Sequence, residues 1–429
     1  ASSARAVFLW SYRALQPEAA RAFRLLSLAT GPDLGLDACA ALLGTQPAAA
    51  RALLDILAAA HLVQEHRRNR YRMHDLLRIF SSECFRDDEP AAARQQAASR
   101  LVNWFVHAAD AASQVLAPHR RRVLSIVADD SGFPTYDAAL EWYSVEHRNA
   151  SAAVQLAAEW RLYDLAWKLA IIMFSYYNLN KGWREYLTTL GTALDATRRA
   201  GNDLGTAWVL NATGVAYGSI AHYEEALNCL EQSLTLSRTT GDQQGASVAL
   251  NNLGETYRRA GSYERAIELF EMDRQFCHDN GDGNGESVCL NNLGKAWLAL
   301  GNIAEAIRCQ TRALEIRPRV TDPHAEAEIL NDLGEAYRRC RQYSHSSQSY
   351  QQALAAYQKA GDALGAAQVA VSLAELAHER GELLEARQRA SEALALSATV
   401  DEDDASALRR QIDTLQRQLD CVGSLVDGR

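Results

Sequence analysis

The pentapeptide Leu250-Asn251-Asn252-Leu253-Gly254 returns as Leu290-Asn291-Asn292-Leu293-Gly294 and as Leu330-Asn331-Asp332-Leu333-Gly334. A weaker copy stands at Leu210-Asn211-Ala212-Thr213-Gly214, and a decayed one at Val371-Ser372-Leu373-Ala374. Asn211, Asn251, Asn291 and Asn331 follow one another at intervals of 40 residues. A fixed period of this size marks a stack of equivalent supersecondary units, each burying its apolar face only against its neighbours. The chain must therefore contain a solenoid.

Composition agrees with helices as the unit. Only 8 of 429 residues are proline, and 48% are apolar, enough for a packed core. The net charge of −9 argues against a chain that coats nucleic acid. There is no apolar run of membrane-spanning length and no signal-peptide pattern, so a cytoplasmic location and no membrane partner are expected. The cysteines stand at 39, 84, 229, 277, 289, 309, 340 and 421, with no C-x-x-C pair. They read as buried free thiols of a reducing compartment, and no metal or other cofactor is expected within this chain. The start at Ala1-Ser2-Ser3, without methionine, is what a piece of a longer protein would show.

With each motif glycine at position 8, the copies resemble the tetratricopeptide repeat. Position 11 is then Tyr217, Tyr257, Trp297 and Tyr337, and position 20 is Ala226, Ala266, Ala306 and Ser346. Small residues at 8 and 20 let the two helices of a unit approach closely, while the aromatic fills the gap between units. Gly201, Gly241, Gly281 and Gly361 suit left-handed helix ends, and Asp242, Asp282 and Asp362 suit the caps that follow. The Gly201 copy has Asn202 then Asp203, and the fourth copy departs, with Thr321-Asp322-Pro323 and no glycine. Tyr177 and Trp183 fit an earlier, degenerate unit. Leu408, Ile412, Leu415 and Leu419 form one helical stripe that would close the last repeat.

In this repeat class positions 2, 5, 9, 12 and 13 of the first helix line a concave groove. Position 5 holds Asn211, Asn251, Asn291 and Asn331; the later positions hold Glu255, Arg258, Arg259, then Lys295, then Glu335, Arg338 and Arg339. Asparagine costs roughly 0.5 kcal/mol against alanine inside a helix, and its amide can both donate to and accept from an extended backbone. These residues are the candidate site for a peptide or protein ligand. The alternatives are that some asparagines bond between adjacent repeats, and that Glu255–Arg259 and Glu335–Arg339 are ordinary helical pairs. Asn252 and Asn292 read as structural.

The first ninety residues follow another pattern. Helices are expected from Pro17 to about Leu28, after Leu36-Asp37 with Asp37 as a cap and ending at Gly44, and from Pro47 to about Ala60. Two short strands, Leu62–Glu65 and Tyr71–His74, flank a basic turn, and a helix resumes at Leu76. Three helices, a hairpin and a further helix make a winged helix. Its recognition helix offers only Arg51 and Asp55, and residues 1–90 hold 11 arginines against 10 acidic residues, so DNA is not an expected partner. Arg67, Arg68, Arg70 and Arg72 on the wing are the candidate phosphate contacts.

Leu53-Leu54-Asp55, His61-Leu62 and Tyr71-Arg72-Met73-His74-Asp75-Leu76-Leu77-Arg78 resemble the winged helix that follows the nucleotide-binding domain of STAND-class NTPases. Within that class the chain resembles the large bacterial SARP-type antibiotic-biosynthesis regulators. Met73-His74-Asp75 is similar to the MHD motif of NB-ARC proteins, and the resemblance implies that His74 senses the β-phosphate of ADP. No G-x-x-x-x-G-K-[ST] loop exists here, so ADP or ATP is expected only with an upstream nucleotide-binding domain. Trp142 to Asn149 resembles the segment that leads into the repeats of SARP-type proteins.

The expected organisation is a mainly α chain: a winged-helix module over 1–90, a helical connector over 91–162, a tetratricopeptide array over 163–400, and a closing helix and tail over 401–429. The expected function is the sensor region of a STAND-type transcriptional regulator, binding a ligand in the repeat groove and relaying this to an upstream NTPase. A free-standing scaffold and a DNA-contacting transcription factor are the alternatives. No zinc spacing, nucleophile elbow or paired-carboxylate pattern points to an enzyme.

Overall fold

The computed structural model describes residues 2–117, 132–316, 323–398 and 402–427. The basic cluster His119-Arg120-Arg121-Arg122, the Thr321-Asp322 link and the Cys421 side chain lie outside the described residues. The chain divides into two compact units, 1–246 and 247–429. No described helix is long and apolar enough to cross a membrane.

The first unit opens with α1 (Ser2–Arg13), α2 (Pro17–Leu26), β1 (Leu34–Gly35), α3 (Leu36–Leu43), α4 (Pro47–Ala59), β2 (Gln64–Arg67), β3 (Arg70–Arg72) and α5 (Asp75–Asp88). Pro17 and Pro47 start their helices, where a missing N–H costs nothing. Gly44 ends α3 in the left-handed region. Asp37 lies in the first turn of α3, and Gly35 takes the cap position expected of it. Strands pair antiparallel in the order β1-β3-β2. The hairpin is displaced from its expected place. Leu62 and Val63 are drawn into the core ahead of β2, and His74 leaves the sheet to cap α5. The two-residue β1 is too short to show any periodicity.

Arg70 corrects one expectation. Its guanidinium turns inward from β3 and binds both Asp33 and Glu146. His66 Nε2 lies 2.7 Å from the second Asp33 oxygen, and Asn149 Nδ2 donates to Glu146 at 2.6 Å. Arg70 is therefore a latch between the hairpin and a later helix, not a free phosphate contact. A buried Glu146, 3% exposed, requires such a cation. Arg72 donates to Gln64 at 3.0 Å, while Arg67 and Arg68 are exposed. Burial alone would raise the Asp33 carboxyl; hydrogen bonds from Arg70 and His66 and the Arg70 charge outweigh it and hold Asp33 below its ordinary value.

The unit continues through α6 (Ala91–Leu116), α7 (Tyr136–Glu159), α8 (Tyr163–Ile172), α9 (Phe174–Asn180), α10 (Trp183–Ala200), α11 (Asp203–Ser219) and α12 (Tyr223–Thr240). Arg100 of α6 donates to the carbonyls of Ala41 and Leu42 at 3.1 and 2.7 Å, satisfying the end of α3. Tyr143 of α7 is fully buried, donates to Ala109 O at 3.0 Å and stacks on Tyr176 with centroids 5.0 Å apart.

Next comes α13 (Gln243–Arg259), within which the second unit begins. It is followed by α14 (Tyr263–Asp279), α15 (Gly283–Leu300), α16 (Ile303–Ile316), α17 (Pro323–Arg339), α18 (Tyr343–Ala360), α19 (Ala363–Glu379), α20 (Leu383–Ser397) and α21 (Glu402–Asp427). A simpler metre underlies the 40-residue period. Left-handed residues stand at Arg161, Lys181, Gly201, Ala221, Gly241, Gly261, Gly281, Gly301, Arg341, Gly361 and Gly381, on a grid of 20. The grid position at 321 lies outside the described residues. Most of the helices from α10 to α19 are thus ended at the same count, and the metre reaches back to Arg161, before any readable motif, although α8 ends between nodes at Ile172. Asn202, Asp242, Asp282 and Asp362 then accept from the backbone N–H of Gly205, Gly245, Gly285 and Gly365 at 2.8–3.0 Å.

Helix pairs close over the motif glycine. A Cβ on Gly214, Gly254, Gly294 or Gly334 would lie 2.5–2.6 Å from Leu230, Phe270, Gln310 or Tyr350 respectively. Ala226, Ala266, Ala306 and Ser346 are all fully buried at the same joint. Leu408, Ile412, Leu415 and Leu419 of α21 are buried against Ala367, Ala374, Ala386 and Ala393, closing the far end.

Two outcomes follow. Ala221 occupies a left-handed node that most copies give to glycine, at a cost of roughly 1–2 kcal/mol. Ala221→Gly should therefore raise unfolding stability by about 1 kcal/mol in urea titration. The Asp33 contribution is complete above its unfolded pKa of about 3.9 and is lost as pH falls through its lower folded value. Asp33→Asn should flatten the stability–pH curve below about pH 4, as read by thermal melts.

Candidate functional site

Within the second unit, the positions expected to form a groove are linked from one repeat to the next. Asn292 Nδ2 donates to Asn251 Oδ1 at 3.5 Å, and Asn291 Nδ2 donates to Asp332 Oδ2 at 3.2 Å. In each case position 5 of one copy meets position 6 of the next, 41 residues on. Asn291 is 5% exposed and Asn211, in the first unit, is also buried. Asn331 is half-buried, and its Oδ1 is without a partner. The alternative of bonds between adjacent repeats is therefore what Asn251 and Asn291 show, while Asn331 keeps an unpartnered Oδ1. Buried amides are mostly hydrogen-bonded, and for Asn251 Oδ1 and Asn291 Nδ2 the partner is the adjacent repeat.

The charged positions behave differently. Arg258 and Arg259 pair with Glu255 at 2.7 and 3.8 Å. Lys295 bonds Asp332 across the repeat at 3.2 Å. Burial raises the Asp332 carboxyl, against the pull of Lys295; burial would lower the Lys295 ammonium, but the Asp332 charge prevails and raises it. Arg338 binds Glu335 of its own helix at 2.8 Å, and Glu375 and Glu379 of α19 at 3.2 and 3.0 Å. Arg339 also binds Glu335 at 2.8 Å. Burial would raise Glu335, but the hydrogen bonds from Arg338 and Arg339 hold it below its ordinary value. Gln411 of α21 donates to Glu375 at 3.2 Å, carrying the band onto the closing helix.

Asp332, Glu375 and Glu379 were not anticipated as members. The signal existed, since Glu375 and Glu379 occupy positions 9 and 13 one copy beyond Glu335 and Arg339. It was hidden by the decay of the motif in that copy. Across the band, Arg259 and Arg339 keep 44% and 50% of their side-chain surface open.

A second candidate lies in the first unit. An open cleft of about 920 Å³ is bordered by Thr30, His61, Gln64, Arg72, His74 and Arg78, among others. His74 is exposed at the start of α5, where its Nδ1 accepts a long 3.4 Å bond from Leu76 N–H. The local hydrogen bond weighed against a sensor role is thus present, but it uses one ring nitrogen. Arg78 reaches Thr30 O at 3.4 Å, and its Nε has no partner. Leu76 and Ile79, one helical turn apart on α5, are 54% and 59% exposed.

The tetratricopeptide repeat family matches residues 223–272 and 245–319, and a second form of the same repeat matches 327–360. "Regulatory protein AfsR" of Streptomyces griseus is 31% identical over 201 residues, which are 46% of this chain and 21% of that protein. The protein of the same name from Streptomyces coelicolor (strain ATCC BAA-471 / A3(2) / M145) is 31% identical over 234 residues, 51% of this chain and 23% of that one. The chain thus spans less than a quarter of the length of these curated relatives. Among solved structures, a Signal Transduction ATPase with Numerous Domains protein with a tetratricopeptide repeat sensor, from Pyrococcus horikoshii, has a TM-score of 0.45 at 14% identity; the match covers 97% of this chain and 65% of that one. A Rap protein complexed with Competence and Sporulation Factor has a TM-score of 0.47 at 13% identity, covering 78% and 100%. The helix pairs of residues 223–319 and 327–360 are tetratricopeptide repeats.

Proposed function

We propose that this chain is the regulatory region of a STAND-type transcriptional regulator. A winged helix at its N-terminal end docks a nucleotide-binding domain, and the repeats receive a peptide or protein that alters this docking. The observation that carries the reading is the His74 cleft. An exposed imidazole and the guanidiniums of Arg72 and Arg78 border one open concavity, beside the bare Leu76 and Ile79. This donor set suits a phosphate, to which an imidazole N–H and guanidinium N–H groups donate. The apolar pair suits a protein surface laid against α5. ADP would be held chiefly by the partner domain, with His74 adding a bond to its phosphate in the resting arrangement. Similarity to regulatory proteins over about half of the chain supports the same reading.

On the repeats, Arg258, Arg259, Lys295, Arg338 and Arg339 are set among Glu255, Asp332, Glu335, Glu375 and Glu379, in equal numbers. A partner is then selected by its pattern of charge and not by its total, and it binds by exchanging partners with these pairs. Arg259 and Arg339, the most open of the cations, make first contact.

Joining a STAND nucleotide-binding domain ahead of residue 1 tests the switch. His74→Ala should speed release of a fluorescent ADP by about tenfold or more, since a hydrogen bond to a charged group contributes roughly 1.5–3 kcal/mol. An unchanged release rate refutes the sensor role. For the repeats, Arg259→Ala with Arg339→Ala should abolish retention on a peptide array with no change in melting temperature. Asn291→Ala should instead lower stability by about 1–3 kcal/mol, because it strips the buried Asp332 of a donor. Equal retention by the double variant and the parent excludes this face.

A further inference from the structure

The repeat supplies its own control for what is unusual in it. At one buried joint, α14 carries Asp273 and Cys277 and α15 carries Cys289. One copy earlier, the same positions hold Ser233, Ser237 and Ala249. In the neighbouring joints the equivalent contact is a single serine hydroxyl on a carbonyl: Ser233 on Ala207 at 2.7 Å, and Ser287 on Ala313 at 3.0 Å. Only the middle joint, among the described residues, gathers a carboxylate and two thiols.

The three ligand atoms all lie within 4.8 Å of one another, and the three residues are buried, at 2%, 2% and 1% exposure. Cys289 Sγ lies 3.1 Å from Asp273 Oδ2, and Cys277 Sγ lies 3.9 Å from Oδ1. A tetrahedral zinc with bonds of about 2.3 Å to sulfur and about 2.0–2.2 Å to oxygen spaces its ligands by distances of this order. The groups bonded to Asp273 are all neutral: these thiols, the Ser247 hydroxyl at 2.5 Å and the Asn251 amide. A carboxylate taken out of water needs a cation or a proton, and burial raises Asp273 accordingly.

We propose that Asp273, Cys277 and Cys289 form a binding site for one thiophilic divalent cation of the zinc class. This departs from the expectation that every cysteine is an inert buried thiol. Binding forms two metal–sulfur bonds and one metal–oxygen bond. It releases the two thiol protons, and the carboxyl proton when present, to solvent. The fourth tetrahedral position falls to water or to the Ser247 hydroxyl, which otherwise orients the carboxylate. Hard cations are disfavoured, because two of the three ligands are sulfur. The ion staples α14 to α15, and through the Asp273–Asn251 bond it also fixes the rung that Asn292 meets.

The test uses the whole chain, reduced, stripped with a chelator and titrated with Co²⁺ and then Zn²⁺. The expected result is a single equivalent of Co²⁺ with a thiolate charge-transfer band and the d–d bands of a tetrahedral site. Zn²⁺ should displace it and raise the melting temperature. Cys277→Ser with Cys289→Ala should remove the bands and the zinc-dependent rise, and Asp273→Ser should weaken binding while keeping the sulfur band. All three substitutions install what the preceding repeat already carries, so circular dichroism should show an unchanged helical fold. Absence of the charge-transfer band in the parent overturns the proposal. So does a band that survives in the folded double variant.

Discussion

Everything in the repeats depends on how closely two antiparallel helices can approach. At Gly214, Gly254, Gly294 and Gly334 the facing side chain already sits where a Cβ would be. The opposite small residue at position 20 closes the same joint from the other helix. At this distance helix direction leaves little latitude, because side chains interlock at near-crystalline density. The left-handed node every 20 residues then returns the chain at a constant count. With the joint and the turn both set, each copy offers its neighbour the same surface.

That regularity governs where polar groups can be placed. Within the second unit, position 5 meets position 6 of the next copy twice, so a side chain there can serve as a stitch. Asn251–Asn292 and Asn291–Asp332 use this. At positions 9, 12 and 13 the long arginines pair with acids on their own helix, and Arg338 also reaches Glu375 and Glu379 on α19. The first unit applies the same economy through a single residue. Arg70 satisfies Asp33 and the deeply buried Glu146 together, tying a hairpin to α7.

Local rules were legible from residues alone. The period, the caps at Asp242, Asp282 and Asp362, the small pair at each joint and the Leu408–Leu419 stripe all depend on spacing within a helix or a turn. The fate of Arg70 was not legible, since Glu146 lies 76 residues away and nothing nearby announces a buried acid. The amide ladder shows an intermediate case. Its register followed from the repeat, but whether an amide faces a partner or a neighbour depends on the side-chain placement of the adjacent helix. The hairpin slipped because the apolar Leu62 and Val63 favour core over ladder, a tertiary preference that overrides strand pattern. The cluster of Asp273, Cys277 and Cys289 was readable in principle as a departure from the repeat. It becomes visible only when copies are compared at positions away from the motif.

The node spacing bears on how such a chain can change its length. Where successive copies share the same node spacing, a gene segment encoding 40 residues can be duplicated or deleted between nodes with the count of the turns kept. The array can gain or lose a rung while each surviving stitch finds its partner. The joint between α14 and α15 is the exception. A break placed between Cys277 and Cys289 would part residues that have no counterpart in other copies, so recombination there would erase a feature that duplication elsewhere leaves intact.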